Sequence, residues 1–192
     1  MLEKIDVDIN RADIDGHTLL FFAAYKGNVK IVEMLLEKEE IEINSANING
    51  HTALSMAAYK GHDQIVKMLL EKEEIEINIA DKNSLTPLYL AARDGHDKVV
   101  EYLLKKEGIQ VNALTFMGNT PLHIAASEGY DKVVKVLLKK EGVEVNHANW
   151  EGATPLSIAA HKRNGKIVNL LLGTEEIRAI GWDGWRPIAT PG

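Results

Sequence analysis

"GNTPLHIAASEGYDKVVKVLL", Gly118–Leu138, decides the fold, because the chain writes nearly the same words on either side of it. One step back stands "SLTPLYLAARDGHDKVVEYLL", Ser84–Leu104, and one step forward "GATPLSIAAHKRNGKIVNLLL", Gly152–Leu172. Working outward, the anchor Gly-x-Thr-x-Leu recurs at Gly16, Gly50, Ser84 (a variant), Gly118 and Gly152, each 34 residues from the last. Leu-Leu pairs keep the same step at Leu35, Leu69, Leu103, Leu137 and Leu171, and so do Asn44, Asn78, Asn112 and Asn146. A period of this length marks a stack of supersecondary units, none able to bury its apolar face alone.

Each unit has a physical reading. Thr18, Thr52, Thr86, Thr120 and Thr154 suit an N-cap, whose hydroxyl accepts from the unpaired first amides of a helix. Pro87, Pro121 and Pro155 follow at the first helical position, where a missing N–H costs nothing. A short helix with a small Ala-Ala pair comes next and ends at Gly27, Gly61, Gly95 or Gly129, since glycine takes the left-handed cap conformation cheaply. A second helix carries apolar residues at helical spacing, Ile31, Val32, Leu35 and Leu36 in the first unit. About a dozen residues such as "IEINSANINGH" then give turn and hairpin chemistry. In the last unit Arg163 stands where the helix-ending glycine belongs, so either Arg163 is left-handed or the turn shifts to Asn164-Gly165.

Composition narrows the function classes. The 192 residues include no cysteine, so there are no disulfides and no thiolate nucleophiles or metal ligands. That composition fits a reducing, cytoplasmic or otherwise intracellular compartment, an effector acting inside a host cell included. No apolar run approaches the roughly 18 residues a membrane span needs, and the start "MLEKIDVDIN" is no secretory signal. The net charge of −6 argues against nucleic acid as partner. It is unevenly spread: residues 1–80 hold 8 Lys+Arg against 15 Asp+Glu, residues 81–192 hold 14 against 13.

"GNTPLHIAA", Gly118–Ala126, matches the hallmark of ankyrin repeats at every position, and the chain resembles that family over nearly its whole length. The usual unit of that family is one residue shorter; the extra residue here follows the Leu-Leu pair. The resemblance implies an all-α helical repeat solenoid with short β-hairpin loops, in one domain over 1–192. Full repeats are expected at about 11–44, 45–78, 79–112, 113–146 and 147–178, with partial or degenerate repeats at 1–10 and 179–192. "LEKIDVDIN", Leu2–Asn10, aligns with "LEKEEIEIN", Leu36–Asn44, which suggests a piece of a longer array. A first unit lacking its neighbour predicts weak self-association through the N-terminal end, and Trp182 and Trp185 are expected to fold over the fifth unit.

Function follows from the same resemblance. It implies a scaffold that binds another protein through a concave face of fingertips and first helices, with no chemistry and no cofactor of its own. The expected contact residues are Phe116, Met117 and Trp150, with Ile48, His51 and Leu85 on other tips and Tyr59, Arg93 and His161 on the helix side. Large apolar side chains exposed together mark an interface. Seven histidines are spread along the chain, and His17 and His51 on adjacent tips stand too far apart to share a zinc ion. His62, His96 and His123 suit structural roles, and no nucleotide-binding, metalloprotease or nucleophile-elbow motif is present. Two other roles remain open: a spacer within a larger protein, and a substrate of an asparaginyl hydroxylase. The second is implied by the family, in which such an oxygenase favours a Leu eight residues before the Asn. Asn44, Asn78, Asn112 and Asn146 satisfy that spacing, although the same amides can instead bond the turn backbone.

Overall fold

The computed structural model describes residues 8–174. Ten helices lie there: α1 (Leu19–Lys26), α2 (Val29–Leu36), α3 (Ala53–Lys60), α4 (Asp63–Leu70), α5 (Pro87–Arg93), α6 (Asp97–Leu104), α7 (Pro121–Glu128), α8 (Asp131–Leu137), α9 (Pro155–His161) and α10 (Gly165–Leu172). Each odd-numbered helix packs on its even-numbered partner and on the odd helices before and after it; the even helices form a second row behind. The loops between pairs are tight turns, and no strand forms among the described residues.

Local chemistry builds each pair. The five threonines sit extended at the N-caps, and their hydroxyls accept from the amides of Phe21, Ser55, Tyr89, His123 and Ser157. Ser55, His123 and Ser157 return a bond to the threonine backbone, closing capping boxes. Between the two rows one continuous core buries Leu20, Leu54, Leu88 and Leu122 from the first helices, with Ile65, Val99, Val133 and Ile167 from the second. Each such side chain contributes roughly 1.5–3 kcal/mol on burial. Ala24, Ala58, Ala92 and Ala126 are fully buried between adjacent first helices and keep them close.

Polar side chains tie each pair to the next. The Asn10, Asn44, Asn78 and Asn112 amides each donate to the carbonyl of the residue 30 positions on, at 2.7–2.8 Å. Each side-chain oxygen accepts from the amide 32 positions on, at 2.9–3.0 Å. These asparagines therefore grip the following unit's turn rather than their own. Lys106 and Lys140 donate to the Leu70 and Leu104 carbonyls at 2.7 and 2.8 Å, and Lys72 does so to Leu36, each closing an open helix C-terminus in the unit before. His62 and His96 bond the Tyr25 and Tyr59 carbonyls at 3.2 and 2.9 Å, and their rings lie where a Cβ on Gly27 or Gly61 would be.

Two sites break the glycine pattern without breaking the turn. Arg163 is left-handed, φ 61°, and the Asn164 amide still reaches the Ala159 carbonyl at 2.9 Å, as the Asn28 amide reaches Ala23. The turn has not shifted to Asn164-Gly165. Ser84, φ 62°, replaces the fingertip glycine. At Gly16 and Gly50 an added Cβ would meet the next tip's backbone at 3.0 and 2.9 Å. Tips elsewhere are joined by backbone bonds, Ile48 to Asp15, Lys82 to Asn49 and Trp150 to Met117, but Phe116 makes none to Asn83. The missing bond thus coincides with the one tip whose glycine is replaced by a residue bearing a Cβ.

His123 is the one buried histidine at a cap. Its Nδ1 accepts from the Thr120 amide at 3.2 Å, so the other ring nitrogen carries the proton and donates to the Ala153 carbonyl, 3.1 Å away in the next unit. Burial pushes its pKa down to about 4, and the nearby His147 ring, edge-on at 5.9 Å, adds to this when charged.

Two predictions follow from these sites. Arg163→Gly and Ser84→Gly should each stabilise the chain by about 1 kcal/mol in denaturant unfolding, the cost of a left-handed residue with a Cβ. Ser84→Gly should also slow hydrogen exchange at the Phe116 amide; a lower melting temperature in either variant would show turns rebuilt around the larger residue. For His123, the depressed pKa means that the unfolded chain binds more protons between pH 6.5 and 4. The stability from its neutral form is complete above about pH 6.5 and is lost as pH falls toward 4, on the order of 3 kcal/mol in all. His123→Ser, the residue found at the equivalent Ser55 and Ser157, should remove that part of the pH dependence, and equal slopes in the two proteins would refute it.

Candidate functional site

Fingertips and first helices line one face of the array, and the tips are shaped by a device that recurs in every unit. The side-chain oxygens of Asp13, Asn47, Asp81, Thr115 and Asn149 each accept from the amides two and four residues on. A side chain that satisfies two amides at once fixes the turn and pushes the next two residues outward. Those outward pairs are Ile14/Asp15, Ile48/Asn49, Lys82/Asn83, Phe116/Met117 and Trp150/Glu151.

The outward residues differ sharply in chemistry. Phe116 is 67% exposed, Trp150 65% and Met117 about half. Trp150 lies with its ring against Gly118, where an added Cβ would be 2.7 Å from the indole. It makes no ring pair with Phe116, so one face of the indole packs on the neighbouring tip and the rest meets solvent. Ile48 is exposed, whereas Leu85 is half-buried and packs in a small second cluster with Phe21, Met56 and Leu90. His51 is half-buried, with Nδ1 3.8 Å from the buried Asp81 carboxylate.

On the helix side, Tyr59 borders that second cluster and lies under two cations, Lys60 at 4.7 Å and Arg93 at 5.2 Å from its ring centre. Arg93 also pairs with Asp94 at 3.0 Å, while His161 is exposed at the end of α9. Among the expected contact residues, Phe116, Met117 and Trp150 thus form an exposed apolar group at the fourth and fifth tips, and Tyr59 and Arg93 a cation and ring pair on the second and third units. Lys60 was legible on the helix side from the recurrence of Tyr-Lys at 25–26 and 59–60; the cluster of Phe21, Met56 and Leu90 beneath it was not.

Other titratable groups serve the fold. Asp13, Asp15 and His17 gather on the first tip with ligand atoms within 4.8 Å of one another. Asp13, however, spends one oxygen on the Asp15 and His17 amides and the other on the His17 ring, 3.0 Å away. Those bonds, first that from His17, hold its carboxyl below the usual range. Asn44, Asn78 and Asn112 have both ends of the amide engaged with the following unit, so any enzyme acting there must first free two hydrogen bonds. The corresponding partners of Asn146, and the expected positions of Leu2, Trp182 and Trp185, lie outside the described residues. No described helix is long and apolar enough to cross a membrane.

A search of curated proteins finds no match. The family model for ankyrin repeats in three copies matches residues 1–81, 73–149 and 115–180, which together span most of the sequence. Families of this kind are generally protein–protein interaction modules and typically non-enzymatic. With that coverage and the paired helices at a constant step, the chain belongs to the ankyrin repeat family.

Proposed function

We propose that this chain binds a protein partner through the face of fingertips and first helices, with Phe116, Met117 and Trp150 as the apolar anchor. The observation that carries the reading is the exposure of these three side chains on adjacent tips. The core does not need them, and the equivalent outward pairs on the first three tips hold no aromatic: Ile14 with Asp15, Ile48 with Asn49, and Lys82 with Asn83. Trp150 is already held against Gly118, so little rotamer freedom remains to be lost on binding. Burial of such groups contributes roughly 1.5–3 kcal/mol each, and tryptophan is enriched among residues that dominate interfaces. A cysteine-free sequence supports an intracellular setting for this role.

A second contact is favoured by the first unit. Ile31 is 39% exposed, while Ile65, Val99, Val133 and Ile167, its counterparts at the same step, are at most 1% exposed. Leu19, Phe22 and Met34 are exposed beside it. We propose that this apolar face supports weak self-association through the N-terminal end.

The anchor is tested by replacing Trp150 and Phe116 with alanine. Thermal stability should stay nearly unchanged while affinity for a recovered partner falls at least about tenfold; a large drop in stability with affinity preserved would make these aromatics structural. Self-association is tested by sedimentation, in which the mean mass should rise with concentration and Ile31→Glu should abolish the rise. A strict monomer at high concentration would sink that idea.

A further inference from the structure

The first three units carry a charge arrangement that composition conceals. Residues 1–80 hold 15 acidic residues, yet none lies on α1 or α3, whose only charged side chains are Lys26 and Lys60. α5 adds Arg93 and again no acid. The three cations interleave with two tyrosines. Lys26 Nζ lies 5.5 Å from the Tyr25 ring centre; Lys60 Nζ lies 4.8 Å from that ring and 4.7 Å from Tyr59; Arg93 lies 5.2 Å from Tyr59. The result is a ladder of alternating cation and ring across three units. Asp94 neutralises Arg93 in part, but Lys26 and Lys60 make no ion pair among the described residues.

We infer that this ladder receives an acidic, extended segment of the protein partner, a reading that rests on the binding face proposed above. The rings hold the ammonium groups over a low-dielectric floor backed by Phe21, Met56 and Leu90, which strengthens their pull on a carboxylate and reduces the freedom lost on binding. Neighbouring first helices stand about 10 Å apart, and a polyproline-II chain, with three residues per turn, advances about 3.1 Å per residue and returns every third side chain to the same face. Carboxylates three residues apart therefore match Lys26 and Lys60, with the intervening side chains to either side of that row. The molecule as a whole repels such a segment, with its net charge of −6. Attraction must come from the local strip, and that makes the inference testable.

The test uses the full chain and two fluorescein-labelled twelve-residue peptides, four copies of Glu-Ser-Leu and four of Lys-Ser-Leu, followed by fluorescence anisotropy at low and high salt. The acidic peptide should bind at least about tenfold tighter than its lysine counterpart and weaken with salt. Lys26→Glu with Lys60→Glu should remove that preference, Lys60→Gln should weaken binding partially, and Lys132→Glu on the outer helix α8 should have little effect. Circular dichroism melts of each variant separate lost binding from lost fold, and Lys60→Gln keeps the test open should the double reversal not fold. Tighter binding of the lysine peptide, no binding of either, or equal sensitivity to Lys132→Glu would each overturn the inference. The two proposals also fail separately. Acidic-peptide binding that survives Phe116→Ala with Trp150→Ala but not the lysine reversals leaves the ladder standing without the anchor. A partner lost by the aromatic pair and indifferent to Lys26 and Lys60 does the reverse.

Discussion

Every unit in this protein exposes an apolar face that only its neighbour can cover, and that requirement governs the rest of the structure. Helices of seven or eight residues are too short to persist alone in water. They survive because Ile65, Val99, Val133 and Ile167 are sealed against the unit before them. Apolar burial alone does not fix how two units sit, since it is not directional. The asparagine bonds, the lysines on helix ends and the rings of His62 and His96 supply the direction, because each has one geometry that satisfies it. The result is a one-dimensional stack in which coupling runs from neighbour to neighbour.

Much of this was legible in the sequence, and the boundary of legibility is physical. Thr18, Pro87 and Gly27 act within a few residues of themselves, so their identity and spacing announced caps and helix ends directly. Asn44 was harder. Its recurrence was plain, but its partners lie 30 and 32 residues on, and nothing in the local pattern separates a bond to its own turn from one to the next. Lys72, Lys106 and Lys140 recur at the same step, but a lysine's reach across a unit boundary is invisible until the boundary has a geometry. Among the binding residues, the sequence could name Phe116, Met117 and Trp150 as departures from the repeat. It could not show that Leu85 turns into a cluster while Trp150 lies across Gly118.

Ser84 shows how a small departure is felt one unit away. Glycine at the tip serves two needs, a left-handed backbone and space for the next tip. Serine meets the first at some cost and brings a Cβ to the second, and the Phe116–Asn83 bond is missing at that tip. The tip concerned is the one that carries Phe116 and Met117, and it stays joined to the fifth tip through the Trp150 amide and the Met117 carbonyl. Its core helix α7 is unaffected, with Leu122, Ala125 and Ala126 as buried as their counterparts.

The stack also explains how opposite charges coexist so closely. The acidic residues Glu39, Glu40, Glu73 and Glu74 lie on the turns after α2 and α4, whereas Lys26 and Lys60 end α1 and α3, and the packed core lies between the two rows of helices. Screening in water at physiological salt acts over about 8 Å, shorter than two layers of helices, which pack 8–10 Å apart before side chains and turns are added. Acid on the outer side therefore does little to discharge the inner strip, while it keeps the chain's net charge away from zero and opposes nonspecific association. A repeat whose two faces are separated by its own core can give one face to solubility and the other to recognition, and the absence of acidic residues from α1, α3 and α5 follows that division.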